Sequence, residues 1–225
     1  MKIGIICALD TELAPFLPHI QNGRITQQAK LDFHQGEMGR HSVVAVFCGV
    51  GKTNATLATQ ILVSNYGVTA IINAGTAGGI CHSVGLFHTV ICTEVAHHDV
   101  NEEILTAFHP YLESGLFKAD DRLMALLKQG VQALSHESET HYGRMVTGDQ
   151  FITDNGRAEI IATHNPLSVD METASIAHVC YVNDIPYVAI RTITDTAQDS
   201  GEDNFAKNCP KASEISANIV IEALR

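Results

Sequence analysis

Strand-length apolar runs alternate with helix-length segments along this chain, and that alternation restricts the fold more than any other feature. Residues 2–7 form the first run, and the acidic segment after it, with Asp10 and Glu12, predicts a short helix to Leu17. Residues 33–38 and 42–48, separated by Gly39-Arg40-His41, predict a β-hairpin. A helix is expected over 53–66, where Ala55, Leu57, Ala58, Ile61 and Leu62 recur at helical spacing. The run 68–73 reads as a buried strand ending in the turn Gly75-Thr76-Ala77-Gly78-Gly79. Further strands are expected at 87–93, 144–147, 168–171 and 186–193, with a polar stretch over 97–117. Ala119-Asp120-Asp121 opens a helix with Leu123, Leu126, Leu127 and Val131 on its buried face, and other helices are expected at 154–163, 172–182 and 206–224. Such alternation implies a largely parallel sheet covered on both faces, a three-layer α/β/α arrangement with antiparallel strands added by the hairpin. No linker, repeat or low-complexity tract interrupts it, so residues 1–225 read as one domain.

Composition narrows the partners. The chain carries 14 Lys+Arg against 25 Asp+Glu, a formal charge of −11. That balance argues against a nucleic-acid backbone or an anionic membrane surface as the main partner. Six cysteines, at 7, 48, 81, 92, 180 and 209, include no CxxC pair, so zinc-knuckle and thioredoxin-type motifs are absent. The N-terminus lacks the length and cleavage site of a signal peptide. No run reaches the roughly 20 apolar residues that a membrane span needs. A reduced, soluble, cytoplasmic protein is expected.

Ligands of open α/β sheets sit at the carboxyl ends of the strands, so the loops there are where chemistry is sought. Gly49-Val50-Gly51-Lys52-Thr53 fails the P-loop pattern, because Val46 stands where its first glycine belongs. It reads as plain turn geometry. The 75–79 turn fails the dinucleotide pattern but places a hydroxyl between glycines, and reads as a ligand contact. Asp10 and Glu12, Asp170 and Glu172, and Asp195 follow three different strands. Singly each is an ordinary helix-start acid. Together they suggest an acid, a base and an anchor for hydroxyls, the equipment for cleaving a glycosidic bond through a cationic transition state. His97, His98 and Asp99 beside Glu94 have no metal-ligand spacing, so no metal site is expected.

The ordered set Gly4-Ile5-Ile6, Glu12, Gly49-Val50-Gly51-Lys52, Asn73 to Gly79, Gly148-Asp149-Gln150-Phe151-Ile152, Val169-Asp170-Met171-Glu172 and Arg191 to Asp195 resembles one family over nearly the full chain. That family is the bacterial 5′-methylthioadenosine/S-adenosylhomocysteine nucleosidases, within the nucleoside phosphorylase superfamily. The resemblance implies a nucleoside phosphorylase-like fold with a mixed, mostly parallel twisted sheet, a homodimer, and hydrolysis without a cofactor. It also implies roles. Asp195 would protonate adenine N7, and Glu12 would activate the attacking water. Glu172 with Met171 would hold the ribose hydroxyls. Phe151 would stack on adenine and the Ile152 backbone would read its Watson–Crick edge. Thr76, beside Gly78, would contact the ribose or the water. Arg191 would support the site, and Phe205 would close a lid over it.

The chain departs from the family pattern, which has Ser at Thr76 and Glu at Asp170. In the family, the segment corresponding to 98–117 builds the 5′-alkylthio pocket, often of the neighbouring subunit. Here its common Gly-Tyr-rich form is missing, and Leu105, Phe108 and Pro110 are the apolar residues available for it. The first loop, Ala8-Leu9-Asp10-Thr11-Glu12, has no arginine to receive a phosphate dianion, so water is favoured over phosphate as nucleophile. The alternatives are a nucleosidase for another 6-aminopurine nucleoside (5′-deoxyadenosine or aminofutalosine), a phosphorolytic relative, or a non-catalytic nucleoside-binding module.

Overall fold

The computed structural model describes residues 1–108, 112–153, 156–197 and 201–225. The chain runs β1 (Lys2–Cys7), α1 (Asp10–Leu13) with a 3-10 turn after it (Ala14–His19), β2 (Gln21–Gln28), β3 (Leu31–Met38), β4 (His41–Phe47) and α2 (Lys52–Ser64). It continues through β5 (Ala70–Gly79), β6 (Thr89–His97), α3 (Glu102–Phe108), β7 (Leu116–Lys118) and α4 (Asp121–Ala133). The rest is β8 (Thr140–Thr147), α5 (Arg157–His164), β9 (Ser168–Asp170), α6 (Thr173–Val182), β10 (Tyr187–Asp195) and α7 (Glu202–Leu224).

Alternation along β1 divides the core in two. Ile3, Ile5 and Cys7 join α1, α4 and α7 on one face, through Leu13, Leu123, Leu127, Val131, Ile219 and Leu224. Ile6 faces the other side, where α2 and α6 contribute Ala55, Ala58, Leu62, Ile176 and Ala177. This is the three-layer arrangement expected from the sequence. Helix α4 starts at Asp120, whose carboxylate accepts the N–H groups of Arg122 and Leu123, the ordinary N-cap pairing.

The sheet order is β10-β6-β8-β9-β5-β1-β4-β3-β2, and β10 pairs with β5 as well. The strands β5, β10, β6, β8 and β9 therefore close on themselves, where an open sheet was expected. The cause lies in Gly75–Gly79, read from sequence as a turn. Those residues continue β5, which pairs with β1 over Ala70–Asn73, with β10 along its length, and antiparallel with β9 at Gly78 and Gly79. Glycines let a strand curl tightly enough to change partners. Strand β2 was not expected: its residues, QNGRITQQ, are mostly polar and exposed, as an edge strand tolerates. The polar 97–117 stretch contains α3 and β7, and α5 starts at Arg157, later than the expected 154, which lies outside the described residues.

Candidate active site

A cavity of about 420 Å³ opens at the carboxyl ends of the strands. Its wall combines the 8–12 segment after β1, Val50 after β4, Thr76 to Gly78 of β5, 150–152 after β8, 169–172 around β9, Arg191, Thr194 and Asp195 of β10, and Glu202, Phe205 and Ala206 of α7.

Glu12 is held through both of its carboxylate oxygens. One carboxylate oxygen accepts the N–H groups of Ala8 (2.8 Å) and Leu9 (3.1 Å), and the other accepts the N–H and the hydroxyl of Thr76 (both 2.8 Å). Gly75 is what lets this carboxylate reach the strand, because a Cβ there would lie 2.5 Å from Glu12 Oε1. Asp10, paired with Glu12 in the sequence reading, is exposed and turns back to the N–H of Thr11.

Beneath the cavity one cation faces three acids. Arg191 is among the largest fully buried side chains. It donates to the Thr76 carbonyl (3.1 Å), Asn73 Oδ1 (3.0 Å) and Glu172 Oε2 (3.2 Å), and lies 3.4 Å from Asp170 and 4.0 Å from Glu12. Burial works against its charge, but Asp170, Glu172 and Glu12 outweigh burial and hold its pKa above the ordinary arginine value. A single guanidinium does not neutralise three carboxylates. Burial therefore pushes Glu172 up to about 7, with Arg191 opposing and Asp170 adding to the rise. Glu172 Oε1 takes the Gly51 N–H at 2.9 Å. Asp170 is consumed locally: it accepts from Thr147 (2.6 Å), from the N–H groups of Glu172 and Thr173 (both 3.0 Å), and from the Thr173 hydroxyl. It fixes the start of α6 and carries Glu172 into the cavity.

Asp195 stands at the end of β10, buried, with Oδ2 directed at Gly78, where a Cβ would come within 3.2 Å. Burial raises its pKa, partly offset by the Thr194 hydroxyl, which donates to Oδ1 at 2.8 Å, and by the charge of Arg157. Phe151 and Phe205 meet edge-to-face across the mouth, with ring centroids 6.1 Å apart at 77°. Ile152 and Met171 line the wall between them and Glu172.

Of the residues expected at the site, Glu12, Thr76, Gly78, Phe151, Ile152, Met171, Glu172, Arg191, Asp195 and Phe205 thus share one cavity. Leu105 and Phe108 do not. Both lie on α3, where Leu105 lines a separate cavity of about 130 Å³ and Phe108 is 83% exposed. Within a single chain α3 lies away from the cavity, so neither forms its wall; Pro110 lies outside the described residues. The 49–53 turn is more than a turn, since Val50 lines the cavity and Gly51 holds Glu172. Asn73 and Thr194 were missed, being uncharged residues at the end of one apolar run and just after another. Among the described residues no group of three or more His, Cys, Asp or Glu is arranged to hold a metal ion, and no helix is long and apolar enough to cross a membrane.

The match to known proteins spans the whole chain. Residues 2–225 fit the phosphorylase superfamily. A 5′-methylthioadenosine/S-adenosylhomocysteine nucleosidase of Bacillus thuringiensis (strain Al Hakam) is 33% identical, over 100% of this chain and 98% of its own. The chain belongs to that nucleosidase family. Two solved members share its fold. The enzyme from S. pneumoniae, with the transition-state inhibitor MT-ImmA, superposes with a TM-score of 0.89 at 29% identity, covering 100% of this chain and 98% of the other. The enzyme from Colwellia psychrerythraea, in complex with adenine, gives a TM-score of 0.89 at 32% identity, covering 100% and 94%.

Proposed function

We propose that this chain hydrolyses the N-glycosidic bond of 5′-methylthioadenosine and S-adenosylhomocysteine, releasing adenine and the 5-thioribose product. The observation that carries this reading is a pair of buried carboxylates from different elements at one cavity, Glu12 held by four donors and Asp195 biased toward its protonated form. A nucleobase leaves C1′ readily only when protonated, and burial, which raises the Asp195 pKa, favours the protonated carboxyl that supplies that proton. Asp195 gives it to adenine N7 as the C1′–N9 bond breaks, and the bonding pair leaves with the base. The ring becomes an oxocarbenium ion. Water adds to C1′ as Glu12 removes its proton, so one proton leaves the enzyme on adenine and one arrives from water.

The remaining groups bind and orient. Glu172 and Met171 hold the ribose edge, Phe151 stacks on the purine, the Ile152 backbone reads its edge, and Phe205 covers it. Thr76 keeps Glu12 aimed, and Arg191 tempers the acidity of the floor. Phosphate is disfavoured as nucleophile because the loop at Glu12 is acidic and the Arg191 donors are already engaged inside the protein. The complex of the Colwellia psychrerythraea relative with adenine supports the adenine part of this reading.

The enzyme acts as a homodimer in this proposal. Val50, Leu57, Ile104 and Phe108 are exposed apolar side chains on or beside α2 and α3, a surface suited to a second copy, and α3 would then bring Leu105 and Phe108 toward the partner's 5′ pocket. Six free cysteines suit a reduced cytoplasm, and with these substrates the proposal extends to a role in methionine salvage. The test is adenine release, with and without phosphate, from nucleosides differing only at the 5′ position. Phosphate-independent release favouring 5′-thio substituents is expected. Phosphate-dependent release would overturn hydrolysis, and a preference for 5′-deoxyadenosine or aminofutalosine would reassign the substrate.

A further inference from the structure

Two parts of the chain have no place in the chemistry above, the Lys52 end of the glycine turn and Asp99 at the end of the His97-His98-Asp99 segment. They meet. Lys52 Nζ donates to both carboxylate oxygens of Asp99 at 2.8 Å. Asp99 Oδ2 also accepts the backbone N–H of Asp149 at 3.0 Å. Asp149 closes the ring, for its Oδ1 accepts the backbone N–H of Lys52 at 2.9 Å and its Oδ2 lies 3.7 Å from Nζ. The contacts bind the ends of β4, β6 and β8 together. Next to them the His98 ring covers Gly148, where any side chain would strike it.

The ring also does what the helix cannot do for itself. Lys52 is the first residue of α2, and its N-cap is Gly51, which has no side chain to cap the helix. Asp149 supplies that carboxylate from another loop, where the exposed N–H groups and the helix dipole favour an anion. Gly51 sits at φ +102°, and its N–H points away from the helix to Glu172 Oε1 at 2.9 Å. Glu172 therefore has two restraints. Arg191, inside the closed strands, holds Oε2; Gly51, on a surface loop, holds Oε1. The first is rigid by burial. The second depends on the 49–51 turn, which the ring holds together with the Gly49 N–H on the Ala8 carbonyl (3.0 Å) and the Asn54 amide on the Val50 carbonyl (2.8 Å).

We propose that Lys52, Asp99 and Asp149 are positioning residues that fix the Gly51 N–H on Glu172 and so set the carboxylate for the ribose 2′- and 3′-hydroxyls. This rests on the nucleosidase reading and deepens it. The side chains of Lys52 and Asp99 are 20% and 29% exposed, and ion pairs with that much access to water contribute little to stability. Their return lies in geometry at Glu172.

The test compares wild type with Asp99→Asn and, separately, Lys52→Met, each opening the ring at a different partner. Adenine release is followed from 5′-methylthioadenosine and from its 2′,3′-dideoxy counterpart, which offers Glu172 no hydroxyl. Losing one aligned hydrogen bond to a charged group should raise KM for the diol substrate about tenfold, and KM for the dideoxy substrate should stay within about twofold. Both variants should melt within about 3 °C of wild type. An equal KM rise for the two substrates, no rise for either, or a larger loss of melting temperature would overturn the proposal. A wild-type chain that neither binds nor cleaves either nucleoside would instead overturn the nucleosidase reading, and this proposal with it.

Discussion

Replacing Arg191 by Met tests whether one guanidinium holds the floor of the site together. Met fills much of the same space without charge or donors. The change strips partners from the Thr76 carbonyl, Asn73 and Glu172, and leaves Asp170 and Glu12 without the cation 3.4 and 4.0 Å away. Removing one partner of a buried ion pair costs about 3–5 kcal/mol. At roughly 2–4 °C per kcal/mol for a chain of this size, the melting temperature should fall by about 6–20 °C near neutral pH. The loss should also depend on pH, and its sign follows from linkage. Burial has already raised Glu172 to about 7, and losing Arg191 raises it further. A carboxyl whose folded pKa is raised contributes stability below its unfolded pKa and loses it as pH rises through the folded value. The gap between variant and wild type should therefore be widest near pH 8 and narrow toward pH 5, as followed by circular dichroism on heating. A melting temperature within about 2 °C of wild type, or a gap independent of pH, would refute the reasoning.

Three other substitutions probe single contacts. Gly75→Ala should displace Glu12, because the new Cβ would lie 2.5 Å from its Oε1; adenine release should fall on the order of 10²-fold in a chain that still folds by circular dichroism. Thr194→Val removes the hydroxyl that holds the Asp195 pKa down. Since the acid must be protonated, kcat/KM should decline with rising pH, and in this variant the decline should move to higher pH; an unmoved profile would remove Thr194 from the site. Phe151→Ala should raise KM for purine nucleosides about tenfold with little change in kcat, since stacking on a base contributes ~1–3 kcal/mol; an unchanged KM would exclude stacking.

The acids of the site were legible because Glu12, Glu172 and Asp195 each follow a buried run at a strand's carboxyl end, where side chains from different strands converge. The sheet's closure was not. Gly75 to Gly79 has the composition of a turn, and only pairing with both β10 and β9 keeps it extended. Strand β2 escaped for the opposite reason: an edge strand made largely of Gln, Asn, Arg and Thr shows no period-two apolar pattern. Asp170 and Asp10 look alike beside their partners in sequence, yet the first is locked in the start of α6 and the second faces water. That difference depends on which way the chain turns after each strand. Leu105 and Phe108 carried a position borrowed from the family, and α3 instead packs Leu105 against its own core and leaves Phe108 exposed, both away from the main cavity.

Adenine release from 5′-methylthioadenosine in phosphate-free buffer by wild type, Glu12→Gln and Asp195→Asn bears most directly on the two-carboxylate mechanism. The wild type should turn over without phosphate. Each variant should lose on the order of 10²–10⁴-fold in kcat while still binding a non-hydrolysable adenosine analogue. Release at the wild-type rate by either variant would contradict the mechanism.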